Sequence, residues 1–196
     1  MTALICLRRL ALGGGLAAIL GALAGPAAAT VAEDPGSSCS WRLPPPPGCS
    51  PLVKVGRDGR TRGAIAAAAA LGQLGIPFSW GGGSSSGPTR GIGRGAVTVG
   101  FDCSGLTLYA WSRAGVRLGH YTGAQFRQGR RVSLAALRQG DLLFFGGGAG
   151  DPTHVGLYLH SGVMVHAPKT GDVVRTAQFL NSPYYRAVFR GAVRPG

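Results

Sequence analysis

The sequence predicts an α+β fold, because helical patterns come first along the ordered part of the chain and short strand patterns follow. Residues 61–75 and the segment that begins at Cys103 carry apolar residues at helical spacing. From residue 141 onwards, short β-branched or aromatic runs alternate with Gly, Pro or Asp. Helices followed by a series of strands indicate an antiparallel sheet rather than a doubly wound parallel sheet.

The first 29 residues are predicted to be a secretory signal peptide. Arg8 and Arg9 precede an uncharged run rich in Gly and Ala, and Ala27 and Ala29 fit the small-residue rule for cleavage. Because this run ends at the cleavage site, a cleaved signal explains it better than a retained membrane span. We therefore expect an exported protein without a membrane span after cleavage, either secreted or associated with the cell wall.

Residues 30–60 are predicted to be a linker, because they are dense in Pro, Ser and Gly and have no apolar period. Removal of the signal leaves three cysteines, and an odd number in an oxidising compartment predicts one pair and one single thiol. Cys39 and Cys49 flank a short segment of the linker and can close a small loop by a disulfide. Cys103 is then left unpaired.

The charge of the chain favours an anionic partner. The full sequence carries a net charge of +13, and loss of the two signal arginines leaves +11. The basic residues are scattered and are not interleaved with aromatic residues, which argues against nucleic acid. For an exported protein, the anionic cell wall is the favoured partner, and a solvated basic surface is the alternative. The Gly-rich residues 80–96 match no nucleotide-binding motif, so we expect no nucleotide cofactor.

Glycine, proline and capping residues predict where the helices and strands begin and end. The first helix is predicted to end at Gly75, ahead of Pro77, and residues 80–96 are predicted to be a flexible loop. The Cys103 helix should end at Gly115, and Thr122 should cap a short third helix. A tight turn at residues 160–162 predicts a hairpin between two neighbouring strands. The strands are predicted at 141–145, 154–160, 163–167, 173–177 and 185–190.

Cys103 has four possible roles: a core thiol, half of a disulfide, a metal ligand or a nucleophile. At the start of a helix its sulfur lies near unpaired N–H groups and the positive end of the dipole, an environment that stabilises a thiolate. A nucleophilic thiol also needs an imidazole, and His154 begins a predicted strand. His166 lies 12 positions later, in the partner strand of the hairpin. The two histidines should therefore be cross-strand neighbours, with the second imidazole orienting the first.

Each of these residues also has a structural interpretation. A single cysteine before a helix can be a small core residue, and histidines in strands can be structural. His160 and His120 are expected to be of that structural kind. A metal site made of Cys103, His154 and His166 would lack a closely spaced pair of ligands, so we expect no metal. The combination of all three side chains favours catalysis.

Several blocks of the sequence resemble one known family. In order and at matching intervals, they resemble the NlpC-type cell-wall cysteine peptidases, with the likeness spanning about residues 63–192 and a domain expected at 61–194. The blocks are IPFSWGGGS at 76–84, FDCSGLTLYAW at 101–111, GDLLFF at 140–145, DPTHVGLYL at 151–159 and MVHAP at 164–168.

This resemblance implies a papain-like α+β fold, with the nucleophile on a helix that packs on an antiparallel sheet. It implies Cys103 as nucleophile, His154 as general base and acid, and His166 as the residue that orients His154. The implied activity is hydrolysis of peptidoglycan stem peptides through a thioester, often between D-glutamate and the diamino acid, by a monomer without a cofactor. Two alternatives stay open: a wall-binding module without turnover, and an amidase or acyltransferase on the same fold.

Substrate contacts are expected near the nucleophile. Many relatives carry a tyrosine where this chain has Phe78, so the hydroxyl that helps to hold substrate is expected either to be missing or to be supplied by Ser79 or Tyr121. Ser104 is expected to help hold the oxyanion, and Asp102 either to cap the helix or to contact the substrate amine. Trp80 follows in the same block as Phe78 and completes the expected substrate-binding set.

Overall fold

The structure, a computed structural model, describes residues 60–196. The predicted signal peptide at 1–29, the Cys39–Cys49 pair and all but the last residue of the predicted linker lie outside the described residues. None of the helices between residues 60 and 196 combines the length and apolar character needed to cross a membrane.

The fold is α+β, as predicted, and is organised around an antiparallel sheet of six strands. The helices are α1 (Arg62–Leu71), α2 (Cys103–Arg113), α3 (Thr122–Arg127) and α4 (Pro183–Ala187). The strands are β1 (Thr89–Arg90), β2 (Val99–Gly100), β3 (Arg130–Val132), β4 (Leu142–Phe145), β5 (His154–His160), β6 (Val163–His166), β7 (Arg175–Gln178) and β8 (Phe189–Arg194). The large sheet has the order β3-β8-β4-β5-β6-β7, and β1 pairs with β2 in a separate two-stranded sheet.

The sheet is buried on both faces. On one face, Leu142 and Phe144 of β4 belong to a core that includes the buried Trp111 of α2 and three buried alanines of α1. On the other face, Leu143 and Phe145 pack in a second cluster. Small alanine side chains let α1 lie close to its neighbours, which explains the Ala-rich composition of that helix. The two clusters make β4 and β5 a rigid support for the residues at their ends.

Several element boundaries differ from the predictions. Of the strand predicted at 185–190, residues 185–187 lie in α4 and residues 189–190 begin β8. The helix forms because Ser182 accepts a hydrogen bond from the Tyr185 N–H and Pro183 occupies the first helical turn. The first helix ends at Leu71, and Thr122 is the first residue of α3 rather than its cap. The strand predicted at 173–177 is β7, at Arg175–Gln178.

The sequence interpretation missed β3, which ends the large sheet. This strand has only three residues, two of which are exposed arginines. Arg130 lies directly opposite Arg194 of β8. Short, highly charged runs do not carry the apolar alternation that predicts a strand.

Residues 80–96 are ordered, although the sequence predicted a flexible loop. The buried Ser79 hydroxyl donates to the carbonyl oxygens of Gly95, at 3.1 Å, and Thr98, at 2.8 Å. The Ile92 N–H donates to the Trp80 carbonyl oxygen at 2.8 Å. A Cβ on Gly95 would overlap the Trp80 backbone, so glycine is required where the segment wraps around this residue.

Candidate active site

Cys103 is the first residue of α2, and Asp102 caps that helix. The Asp102 carboxylate accepts the Gly105 N–H at 2.6 Å through Oδ1 and the Gly81 N–H at 3.0 Å through Oδ2. One side chain therefore fixes the first turn of α2 and joins it to the segment that follows Trp80. The capping role is one of the two expected from the sequence.

The sulfur of Cys103 lies against the start of β5. Its Sγ is 4.0 Å from the hydroxyl oxygen of the buried Thr122, and it interacts with the backbone N–H of Val155. Val155 directly follows His154, and the charge of Asp102 acts on the His154 imidazole. The N-terminus of α2, which carries the thiol, therefore lies next to the start of β5, which carries the first histidine. Among the described residues, Cys103 is a free cysteine.

His154 and His166 are cross-strand neighbours, as predicted. The Nε2 of His154 lies 2.8 Å from the Nδ1 of His166. His166 is fully buried, whereas His154 keeps some exposed surface. Tyr158 faces Met164 in the β5–β6 register, and continuing that register puts Gly156 opposite His166. A Cβ on Gly156 would lie 2.6 Å from the Met164 sulfur, so glycine leaves room for the side chains beside it.

The hydrogen bond between the imidazoles restricts their tautomers. For His154 to accept a proton through its other nitrogen, Nδ1, its Nε2 must carry a hydrogen and donate to His166. His166 is then protonated at Nε2, which is buried and has no hydrogen-bond partner among the described residues. Such an unpaired buried group costs about 1–3 kcal/mol. The pair therefore suits a general base, at some cost in stability.

Burial keeps both the thiol and the imidazoles neutral at rest. Desolvation and the Asp102 carboxylate raise the pKa of Cys103 to about 11, although the Val155 N–H acts in the other direction. Burial lowers the pKa of His154 to about 4. Burial and the neighbouring His154 lower the pKa of His166 to about 3. The sequence predicts a resting thiolate stabilised by the helix N-terminus, whereas burial and the carboxylate at the cap shift the pKa of this thiol upwards.

His120, expected to be structural, is a partner of Asp102. Its Nε2 lies 3.2 Å from Asp102 Oδ1, and this hydrogen bond raises the pKa of His120. Burial works to raise the pKa of Asp102, but the hydrogen bonds from His120 and Gly105 outweigh it and lower that pKa. The contact spans 18 positions and has no sequence motif that would have revealed it.

Two of the expected substrate contacts use their hydroxyls elsewhere. The Ser104 hydroxyl donates to Asp102 Oδ1 at 3.0 Å, which leaves its backbone N–H beside the sulfur. Ser79 is 1% exposed, and its hydroxyl donates to backbone carbonyls, so it does not replace the hydroxyl missing at Phe78. Both hydroxyls therefore serve the local fold, while the backbone N–H of Ser104 remains the donor beside the sulfur.

The other two expected contacts are accessible. Tyr121 is 55% exposed and hydrogen-bonds to Asp151. Trp80 is 51% exposed, and the Arg94 guanidinium lies 5.6 Å from the centre of its ring. Trp80 and Arg94 line a cavity of about 270 Å³. These surfaces are open to a ligand next to the capped end of α2.

A larger cleft of about 360 Å³ opens beside His154. It combines aromatic and aliphatic side chains with two cations, and its lining contains no acidic side chain. The lining residues are Phe145, Gly146, Thr153, His154, Pro168, Lys169, Arg175, Tyr184, Tyr185 and Val188. Within residues 60–196, no group of three or more His, Cys, Asp or Glu side chains is placed to hold a metal ion.

Comparison with known proteins gives a family match over most of the described chain. The model of the NlpC/P60 family matches residues 75–194. Peptidoglycan endopeptidase RipA of Mycolicibacterium smegmatis is 46% identical over 112 residues, which cover 57% of this chain and 22% of RipA. The chain thus spans about a fifth of the length of this curated relative.

Solved structures are similar at the level of the whole domain. A structure of RipA mutated at a cysteine has a TM-score of 0.60 and 39% identity, and covers 67% of this chain and 60% of its own. Other RipA structures are mutated at a histidine or at a glutamate. RipD of Mycobacterium tuberculosis, described as a non-catalytic NlpC/p60 domain protein adapted to peptidoglycan binding, has a TM-score of 0.59 and 38% identity. This similarity covers 69% of the present chain and 98% of RipD.

Proposed function

The chain belongs to the NlpC/P60 family, and on that basis we propose that it is an exported cysteine peptidase that hydrolyses the stem peptides of peptidoglycan. The observation that carries this proposal is the meeting of Cys103, at the first turn of α2, with the start of β5, where His154 is hydrogen-bonded to a buried His166. A thiol, a base and a residue that orients the base are the parts that acyl transfer by a cysteine needs.

In this proposal the three residues act in sequence. Because the thiol and the imidazoles are neutral at rest, the thiol proton moves to His154 Nδ1 as the sulfur attacks the peptide carbonyl. The imidazolium then donates this proton to the leaving amine, which leaves a thioester on Cys103. Water activated by His154 hydrolyses the thioester and frees the thiol. His166 holds the ring of His154 and its tautomer throughout.

The relatives support this assignment of positions. The mutated histidine and glutamate of RipA are 12 positions apart, as are His154 and His166 here. We infer from this equal spacing that the buried imidazole of His166 takes the place of the acidic residue of RipA. A neutral imidazole can orient His154, but it cannot stabilise the imidazolium by charge as a carboxylate does.

In this proposal the enzyme cleaves the bond between D-glutamate and the diamino acid. It reaches the peptidoglycan outside the membrane, after residues 1–29 have been removed. The second candidate is a wall-binding module without turnover. It is favoured by the similarity to RipD, which is described as non-catalytic. The presence of Cys103, His154 and His166 together argues for turnover.

Mass analysis of digested peptidoglycan tests the proposal. The mature chain from residue 30 should release fragments cut within the stem peptide, and Cys103→Ala should release none while keeping the wild-type thermal unfolding curve. His166→Ala should leave a weak residual rate, because it removes orientation and not proton transfer. Arg130→Ala, on the far edge of the sheet, is the matched control and should behave as wild type.

Three results would contradict the proposal. Wild-type rates from Cys103→Ala would exclude the thiol mechanism. Binding of peptidoglycan without any product would favour the wall-binding module. Intact stem peptides separated from glycan would instead identify an amidase.

A further inference from the structure

We propose that the cleft beside His154 is a specificity subsite for a carboxylate on the substrate residue that follows the scissile bond, with Lys169 and Arg175 as the residues that bind it. This inference rests on the proposed peptidase function and names a chemical group that the site recognises. It concerns the half of the substrate that leaves as an amine.

The position of the cleft assigns it to the leaving half. His154 lines the cleft, whereas Cys103 does not. In a cysteine peptidase, the imidazolium donates its proton to the nitrogen of the leaving amine. The part of the substrate attached to that nitrogen must therefore occupy the space on the His154 side.

The lower part of the cleft is apolar. The rings of Phe145 and Tyr185 pack with their centres 5.1 Å apart, and Val188 and Pro168 extend this surface. Tyr184, which is 69% exposed, stands at the rim. A volume of about 360 Å³ with this lining accommodates an aliphatic side chain.

The charges at the cleft select an anion for the end of that side chain. The side chain of Lys169 is exposed and makes no hydrogen bond or ion pair with any described residue. Arg175 is held opposite His166 in the β6–β7 register. One of its terminal nitrogens pairs with Asp172 at 3.1 Å, and its remaining N–H groups are available. Asp172 offsets part of the charge of Arg175 from outside the lining, so Lys169 is the cation at the cleft without an acidic partner among the described residues, and the lining itself has no carboxylate.

A lining that combines apolar side chains with two cations fits an aliphatic stem that ends in a carboxylate. A carboxylate can accept hydrogen bonds from the ammonium and the guanidinium at once, and such charge-assisted bonds are about twice as strong as neutral ones. A carboxamide of the same shape would bring its own N–H donors toward these cations and lose the charge. The cleft should therefore discriminate between the acid and its amide.

The test uses two synthetic stem peptides that differ only in a carboxylate or a carboxamide on the residue after the scissile bond. We expect the wild-type mature chain to cleave the carboxylate peptide with a kcat/KM about tenfold or more above that of the amide. In the double variant Lys169→Ala/Arg175→Ala the ratio should fall close to one. The conservative variant Lys169→Arg should keep the preference, and Arg130→Ala should match wild type for both peptides.

The ratio separates recognition from damage to the fold, because misfolding lowers both rates equally. A ratio near one in the wild-type chain would overturn the subsite and leave the peptidase function standing. A tenfold ratio that survives in the double variant would overturn the assignment to Lys169 and Arg175. If the wild-type chain cleaves neither peptide, the proposed peptidase function is wrong. Binding of the two peptides to Cys103→Ala then tests the subsite by itself, and equal Kd values would overturn it.

Discussion

Gly105 lies where the nucleophile helix comes nearest to the segment after Trp80, and replacing it with alanine should damage the site selectively. A Cβ at this position would overlap the carbonyl oxygen of Gly82 and lie 2.8 Å from Nε2 of His120. Because the Gly82 carbonyl oxygen is a backbone atom, it cannot move aside like a side chain, and either α2 or the segment after Trp80 must shift. Alanine gains up to about 1 kcal/mol from helix propensity, and overpacking costs about 1–3 kcal/mol. With the full propensity gain, the net loss should be up to about 2 kcal/mol.

The effect on activity should be larger than the effect on stability. Gly105 is two residues from Cys103, so a displacement of α2 moves the sulfur directly. A misplacement of about 1 Å can lower a rate by about a hundredfold. We therefore expect Gly105→Ala to fold, to lose up to about 2 kcal/mol in urea denaturation, and to lose most of its kcat/KM on a stem peptide.

Gly72 provides the matched control. It ends α1 with an ordinary helical φ of −64°, and the atoms nearest to a Cβ there are 3.5 and 3.6 Å away. Gly72→Ala should leave activity unchanged and leave stability unchanged or raised by up to about 1 kcal/mol. A Gly105→Ala variant with wild-type stability and wild-type kcat/KM would refute the close approach.

The remaining predictions concern pH and a buried ion pair. Since the folded pKa values of His154 and His166 are about 4 and about 3, below the ordinary 6.5, the unfolding free energy should fall on acidification below pH 6.5. The loss is at most about 1.4 kcal/mol per pH unit for each imidazole. His120, whose pKa is raised, acts in the opposite direction, with stabilisation that is lost as the pH rises through its folded pKa. Urea denaturation between pH 7.5 and 4.5 measures the sum, and a flat or rising profile on acidification would contradict it. Asp141 is 1% exposed and accepts two hydrogen bonds of 2.7 Å from Arg194, so Asp141→Ala should cost about 3 kcal/mol or more. Asp172→Ala, at an exposed pair, should cost much less, and equal losses would argue against the buried pair.

Much of the fold followed from local patterns in the sequence. The hairpin of β5 and β6 was predicted closely, because its strands alternate and its turn is short. Residues 185–187, in the helix that begins at Pro183, were predicted to start a strand, because β-branched and aromatic residues outweighed the capping signal from Ser182. The ordered conformation of residues 80–96 depends on Ser79, whose hydroxyl hydrogen-bonds to carbonyl oxygens 16 and 19 positions away in the sequence. No local pattern could reveal such a contact.

In the candidate site, too, features set by local patterns could be predicted and features set by long-range contacts could not. The neighbouring histidines followed from strand register, which is a local rule. The protonation state of Cys103 did not, because it depends on how much protein surrounds the sulfur and on the carboxylate at the cap. The Lys169–Arg175 cleft could not be predicted from the sequence either, since its lining comes from the segment after β6, the start of β7, α4 and the ends of β4 and β5.

The outer strand β3 also bears on how copies of this protein meet. The free side of an outermost strand exposes N–H and C=O groups that can recruit a strand from another molecule. Here that strand is three residues long and carries Arg130 and Arg131, with Arg194 opposite. Two copies that approached through this edge would bring at least four guanidinium groups together. Repulsion between them discourages continuous intermolecular sheets, which protects the protein against aggregation when many copies crowd onto one surface.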